Sequence, residues 1–229
     1  MFDPIAKRYD KINRILSFGM DRNWRKRAAC YLPKKKDLYL LDLAVGTGDQ
    51  LIACFESKAS IKVAVGMDLS SQMLTIGKEK LDKKPYKDRI QWSLGSGEKL
   101  PYLNHFFDVA TSSFGIRNIS NPLIALQELY RVLKNNGRLI ILEFSLPCYP
   151  IRLFHHVYLR YLLPFIGGLL SKNKKAYIYL SQTIEKFPYG KQFCSLMEQA
   201  GFQNIQAIPL ALGAVTIYIG EKNENLLEK

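Results

Sequence analysis

The sequence predicts an α/β protein built on an open, doubly wound sheet, and three observations predict it. Short apolar runs alternate with segments of helical periodicity from Leu40 to Phe144. The run Leu40-Leu41-Asp42-Leu43-Ala44-Val45 breaks into Gly46-Thr47-Gly48-Asp49, the pattern of a buried parallel strand turning tightly into a helix. A second run, Val63 to Met67, closes on Asp68, twenty positions after Gly48. An acid at that separation, ending the second strand of a βαβ unit, can accept hydrogen bonds from both hydroxyls of a ribose. The combination points to a nucleoside-bearing ligand.

In chain order, Phe2, Ile5, Tyr9, Ile12 and Leu16 step by three and four and define one face of an amphipathic helix. Ser17 to Asp21 is a break, and a second, basic helix runs from Arg22 to about Tyr31. Lys34-Lys35-Lys36 leads into the first strand. Asp42 sits inside an apolar run, where a carboxylate is costly unless it is paired or hydrogen-bonded. Gly46 and Gly48 permit a tight turn and close ligand approach. Asp49 would repel a pyrophosphate yet tolerate a cationic amino-acid group, which favours S-adenosylmethionine over a dinucleotide. A helix follows from Asp49 to about Glu56. After Asp68, Ser70 or Ser71 caps a helix carrying Met73, Leu74, Ile76 and Leu81.

Ile90 to Leu94 is a third strand, followed by the turn Gly95-Ser96-Gly97-Glu98 at its carboxyl end, where an open α/β sheet keeps its ligand crevice. Phe106 to Ser112 is a fourth strand, running into Ser113-Phe114-Gly115-Ile116-Arg117-Asn118. Asn121 and Pro122 open a helix that ends at Asn135-Asn136-Gly137. Leu139 to Phe144 is a fifth strand, and there the alternation stops. Residues 147–188 form an apolar, aromatic and basic insertion, suited to a lid over a greasy substrate or to an interfacial helix. His155, His156, Arg160 and Pro164 interrupt it, so it is a poor membrane span. The two adjacent histidines diverge on a helix and define no metal site. Lys172 to Glu185 and Gln192 to Ala200 are helices, and Gly201 closes the second. Phe202 to Leu210 and Ala214 to Gly220 form an antiparallel hairpin, for seven strands in all. The tail from Glu221 is polar and expected to fray.

The 229 residues suffice for one domain, with residues 1–36 as a helical cap. Lys and Arg number 33 against 20 Asp and Glu, a net charge of +13 that suits an anionic surface. No aromatic-basic nucleic-acid module is present, and the basic residues cluster near the N-terminus and the insertion, which suits anionic lipid better than RNA. RNA binding is the non-enzyme alternative. Four separated cysteines fit a reduced, cytoplasmic setting rather than a zinc site. No pattern defines an oligomeric state.

These residues resemble the class I S-adenosylmethionine-dependent methyltransferases, and within them the UbiE/MenG family. Phe2-Asp3 through Tyr9-Asp10, Leu16-Ser17-Phe18-Gly19 and Trp24-Arg25 are similar to the family's start. Ser113 to Asn118 resembles its most distinctive signature. Arg131 to Leu139 with Leu142-Glu143-Phe144-Ser145 resembles a second, and Tyr177 to Ser181 with Ile184 and Phe187-Pro188 a third. The resemblance implies a Rossmann-like fold whose seven-stranded, mostly parallel sheet has its last strand antiparallel. It implies C-methylation of a polyprenyl quinol ring, demethylmenaquinol before a ubiquinone-precursor benzoquinol or both; the basic clusters allow a peripheral place at the inner face of the membrane for a cytoplasmic protein. Another lipid-like acceptor is the runner-up.

The resemblance also implies roles. Thr47 would contact the amino-acid part of S-adenosylmethionine, Asp68 the ribose, Ser96 and Gly97 the adenine, and Ser113 the region of the methyl. Gly46, Gly48 and Asp42 complete the cofactor set. Arg117 and Asn118 would handle the ring hydroxyl, with His155, His156, Tyr9 and Tyr177 as further pocket candidates. Two positions depart from the family pattern: Val45, where glycine is common, and Ser96, where Asp or Asn is usual.

Overall fold

The computed structural model describes residues 6–171 and 174–223. Two helices, α1 (Ala6–Leu16) and α2 (Met20–Ala29), precede an alternating run. That run is β1 (Leu38–Leu43), α3 (Asp49–Phe55), β2 (Ile61–Asp68), α4 (Ser71–Leu81), β3 (Ile90–Leu94), β4 (Phe107–Ser113), α5 (Pro122–Val132) and β5 (Leu133–Phe144). The insertion follows as α6 (Ile151–Val157), a π-helical turn (Tyr158–Leu162), α7 (Leu163–Ser171) and α8 (Lys174–Lys186). Helix α9 (Lys191–Gln199) and the strands β6 (Gln203–Leu210) and β7 (Val215–Lys222) close the fold.

The seven strands lie in the order β3-β2-β1-β4-β5-β7-β6. The first five are parallel, β7 runs antiparallel to β5, and β6 runs antiparallel to β7. The seven-stranded, Rossmann-like arrangement with an antiparallel last strand is the one expected from the sequence. Strand order reverses between β1 and β4, the switch point at which such a sheet opens a ligand crevice.

The strand pleat sorts side chains between two cores. Leu38 and Leu40, Ile140 and Leu142, and Ile217 and Ile219 join the core shared with α2, α3 and α4. Leu41 and Leu43, Leu139 and Ile141, and Tyr218 join the core shared with α5 and α9. A third cluster joins Ile12 and Leu16 of α1 to Leu159, Leu163, Tyr177 and Ile184 of the insertion. Each such side chain removed from water is worth about 1.5–3 kcal/mol. The N-terminal face expected from the sequence is thus buried at Ile12 and Leu16. Phe2, Ile5 and the Tyr9 side chain lie outside the described residues.

Helix caps follow the residues that predict them. The Ser70 hydroxyl accepts the Met73 N–H at 3.1 Å, and Asn121 accepts the Ile124 N–H at 3.3 Å. Several boundaries differ from expectation, among them that of α2, which begins at Met20 inside the expected break. Helix α5 ends at Val132, and β5 begins at Leu133 rather than Leu139. The Asn-Asn-Gly segment forms an irregularity within β5, because Phe107 pairs with Leu133 while Val109 pairs with Arg138. Strand β7 continues through Glu221 and Lys222, which were expected to fray. Glu221 pairs with Arg138 at 2.6 Å, and buried Lys222 donates to the Tyr130 carbonyl at 2.8 Å. Helix α8 begins at Lys174, residues 172–173 lying outside the description.

Candidate functional site

The loops that leave the two switch-point strands share one backbone feature. Ala44, directly after β1, has φ 55°, and Phe114, directly after β4, has φ 60°. Non-glycine residues held left-handed mark a backbone that its surroundings constrain, and such residues cluster at sites. Gly115 is required beside them, because a Cβ there would lie 2.3 Å from the Ala44 Cβ. Val45 has no left-handed backbone and packs into the core, so glycine is dispensable there.

A cavity of about 570 Å³ opens between these ends, a volume within the usual range for small-molecule sites. Of the predicted cofactor residues, Gly46, Thr47, Asp68, Ser96, Gly97 and Ser113 line it, as do Arg117, Asn118, His155 and Tyr177. Asp42 and Gly48 do not belong to this lining. Gly48 turns the chain, with φ 83°, beneath Leu81 and Trp92. Asp42 is held within the sheet between Gly66 and Thr111. Its Oδ1 accepts the Thr111 hydroxyl at 2.6 Å, while buried Oδ2 has no partner. Burial pushes its carboxyl up to about 7, against the hydrogen bond from Thr111 and the charge of Arg25. Asp42 therefore lies within the sheet, outside the cavity lining.

Asp68 ties the loop to the second strand. It accepts the Gly46 N–H at 2.8 Å and the Ser70 N–H at 2.9 Å. Gly46 has φ 55°, and a Cβ built on it meets nothing within 4 Å, so the loop leaves a cradle that a side chain would fill. The Ser113 hydroxyl donates to Gln50 Oε1 at 2.9 Å. Ser96 Oγ accepts the Glu98 N–H at 3.2 Å and so shapes its turn.

Sequence reasoning missed the polar clasp over this loop. The Thr47 hydroxyl donates to Asp10 Oδ1 of α1 at 2.6 Å, and Lys80 Nζ of α4 donates to Asp10 Oδ2 at 2.7 Å. Lys80 also pairs with Asp49. Burial opposes the charge on Asp49, but Lys80, Arg25 and Arg14 outweigh it and hold this carboxyl below the usual carboxylate range. The carboxylate read as a seat for a cationic group thus already faces a lysine. Nothing in the local sequence around Asp10 announces this contact.

Arg117, expected to handle the ring hydroxyl, lines the cavity and is paired within the protein. Its guanidinium is buried and donates to Glu143 Oε1 at 2.7 Å and to the Phe114 carbonyl at 2.5 Å. Glu143 Oε1 also accepts the Phe144 N–H at 2.9 Å. A carboxylate inside the apolar run of β5 was the available signal, of the same kind as Asp42. Asn118 donates weakly to the Phe114 carbonyl at 3.4 Å, and its buried Oδ1 has no partner. His155 Nδ1 is likewise buried without a partner; burial, then the neighbouring His156, push its imidazole below the usual range. His156 turns away to Glu185 at 3.2 Å. Leu159, Leu163, Phe144, Ile184 and Val215 complete an apolar wall. No metal-binding cluster occurs among the described residues.

A family model described as the ubiE/COQ5 methyltransferase family matches residues 1–222. A protein named ubiquinone/menaquinone biosynthesis C-methyltransferase UbiE from Geotalea uraniireducens is 41% identical over 224 residues, covering 97% of this chain and 94% of that one. A demethylmenaquinone methyltransferase from Bacteroides fragilis is 37% identical, covering 97% of this chain and 91% of that one. Among solved structures, an S-adenosylmethionine-dependent methyltransferase from Thermotoga maritima superposes with a TM-score of 0.65 at 21% identity, covering 97% of this chain and 98% of that one. That likeness concerns the fold.

Proposed function

The chain belongs to the ubiE/COQ5 methyltransferase family and is an S-adenosylmethionine-dependent C-methyltransferase; on that premise we propose that it methylates the ring of a polyprenyl quinol, demethylmenaquinol first and a ubiquinone-precursor benzoquinol second. The observation that carries this reading is a cavity with two kinds of wall. A glycine cradle with an acid suits a nucleoside, and an apolar wall with an orphan amide oxygen suits a hydrophobic phenol.

Asp68 would hold the ribose hydroxyls, Ser96 and Gly97 the adenine, and Thr47 with Gly46 the amino-acid end. Ser113 would face the methyl region. When bound, the cofactor supplies an electrophilic sulfonium methyl. Asn118 Oδ1 accepts the hydrogen of the ring hydroxyl, which orients the ring. Arg117, neutralised by Glu143, positions the loop that carries Asn118 rather than serving as an isolated cation. His155, kept neutral by its burial, takes the proton that the ring releases as its carbon becomes nucleophilic. The apolar wall excludes water and holds the ring carbon in line.

The helical segment 147–188 acts as a lid over this cavity within one methyltransferase domain, and its outer side meets the membrane in which such a substrate dissolves. Tyr149, Leu153, Val157, Tyr161 and Phe165 recur every fourth residue and are 81%, 59%, 53%, 70% and 67% exposed. Arg152 and Arg160 are exposed among them. An apolar stripe with cations beside it suits an anionic lipid surface. No helix among the described residues is long and apolar enough to cross a membrane.

Labelled methyl transfer from S-adenosylmethionine to short-chain demethylmenaquinol and to a benzoquinol precursor, under reducing conditions, tests the assignment. Transfer to the naphthoquinol alone is the expected result. Transfer to neither, with cofactor binding intact, overturns the quinol reading.

A further inference from the structure

We infer that Arg25 of α2 binds the carboxylate of the cofactor's amino-acid end. Two guanidinium groups line the cavity among the described residues, Arg25 and Arg117. They differ in one respect. Arg117 is matched by Glu143 at 2.7 Å and by a backbone carbonyl. Arg25 has no ion pair and no hydrogen-bond acceptor among the described residues, and its Nε is buried without a partner. Its guanidinium carbon lies 5.2 Å from the centroid of the Phe114 ring.

A guanidinium has five donors in a planar fork that fits a carboxylate in bidentate fashion. Leaving those donors unused in a partly buried wall is costly, and an anionic ligand removes that cost. The position specifies the anion. Helix α2 packs against α3, and Arg25 lines the same cavity as Gly46, Thr47 and Asp49, so Arg25 stands by the glycine loop. The carboxylates on that side of the cavity already face cations other than Arg25: Lys80 faces Asp10 and Asp49, and Arg14 faces Asp21 and Asp49. Arg25 is left as the unmatched cation beside Thr47 and two carboxylates. An α-amino acid group is complementary to that arrangement, its ammonium toward Asp10 and Asp49 and its carboxylate toward Arg25. The hydroxyl of the ring substrate would instead belong beside Asn118 and His155.

This inference rests on the cofactor and not on the identity of the methyl acceptor, so its test is equilibrium binding without acceptor. Calorimetry would compare S-adenosylmethionine with decarboxylated S-adenosylmethionine, which differs only in the carboxylate. The wild-type protein is expected to prefer the carboxylated ligand. Arg25→Gln is expected to weaken that ligand about 10- to 100-fold, the loss typical of a charged hydrogen bond, and to leave the decarboxylated one within about twofold. Arg25→Lys should recover part of the preference. Equal weakening of both ligands, or of neither, overturns the assignment. Should Arg25→Gln fail to fold, the ligand ratio on the wild type and on Arg25→Lys decides: wild-type protein without a carboxylate preference overturns it equally. Failure of the quinol reading would leave all of these affinities untouched.

Discussion

The two walls of the cavity are built in opposite ways. The sheet wall is made by the loops after β1, β2, β3 and β4, and its polar groups are tied by short hydrogen bonds, as where Asp68 takes the Gly46 and Ser70 amides. The helical wall is made by α1 and by the insertion, elements about 150 residues apart in the chain, and it coheres through Ile12, Leu16, Leu159, Leu163, Tyr177 and Ile184. The first wall is held by hydrogen bonds between its loops and carries the glycine cradle. The second is apolar on its cavity side and leaves an apolar stripe on its outer side. Arg117 and Glu143 sit where the walls meet: the pair spans the loop after β4 and the end of β5.

That junction is where the largest effect is expected. Glu143→Ala leaves the Arg117 charge buried and uncompensated, which should cost about 3–5 kcal/mol in urea unfolding. An unchanged midpoint would mean that the junction bears no load and that the walls are independent.

Asp42 sharpens the account of the sheet wall. Its folded carboxyl titrates at about 7 against an ordinary 3.8. Below pH 3.8 the group is protonated in folded and unfolded chains alike and costs nothing. As pH rises toward 7 the unfolded chain releases the proton while the folded one retains it, so this group lowers stability by about 1.4 kcal/mol per pH unit. The loss reaches about 4 kcal/mol and is constant above pH 7. Asp42→Asn should abolish that slope in unfolding free energies measured from pH 4 to 8. Parallel slopes in both proteins would place the titration elsewhere.

On the helical wall, His155→Gln should lower kcat about 100-fold and remove the acidic limb of the pH–rate profile, with cofactor affinity unchanged. Retained turnover would reduce the wall to packing alone. Tyr161→Glu with Phe165→Glu should weaken co-sedimentation with anionic vesicles about tenfold and leave cofactor affinity as it was. Loss of cofactor binding in that protein would show the two walls to be coupled; unchanged sedimentation would remove the stripe from the membrane reading. An RNA mobility shift in parallel separates lipid from nucleic acid as the partner of the net +13 charge.

The sequence by itself determined the alternating elements, the glycine turn, the acid after the second strand and the caps at Ser70 and Asn121. These are written in short windows, as a period of two or 3.6, a glycine where φ must be positive, or a side chain that reaches an amide three residues on. It read Asp42 inside an apolar run and Asp68 at the end of one, yet kept both carboxylates in the cofactor set. Tertiary structure decided between them: Asp42 is still inside the ladder, flanked by Gly66 and Thr111, whereas Asp68 is the last residue of its strand and faces the cavity. Nor did the sequence show the early start of β5, which follows from pairing with Phe107. The Asp10–Thr47 bond, the Arg117–Glu143 pair and the unmatched Arg25 share the same physical reason. A window of sequence encodes what a residue prefers, but whether a charge meets a partner depends on which distant element packs against it.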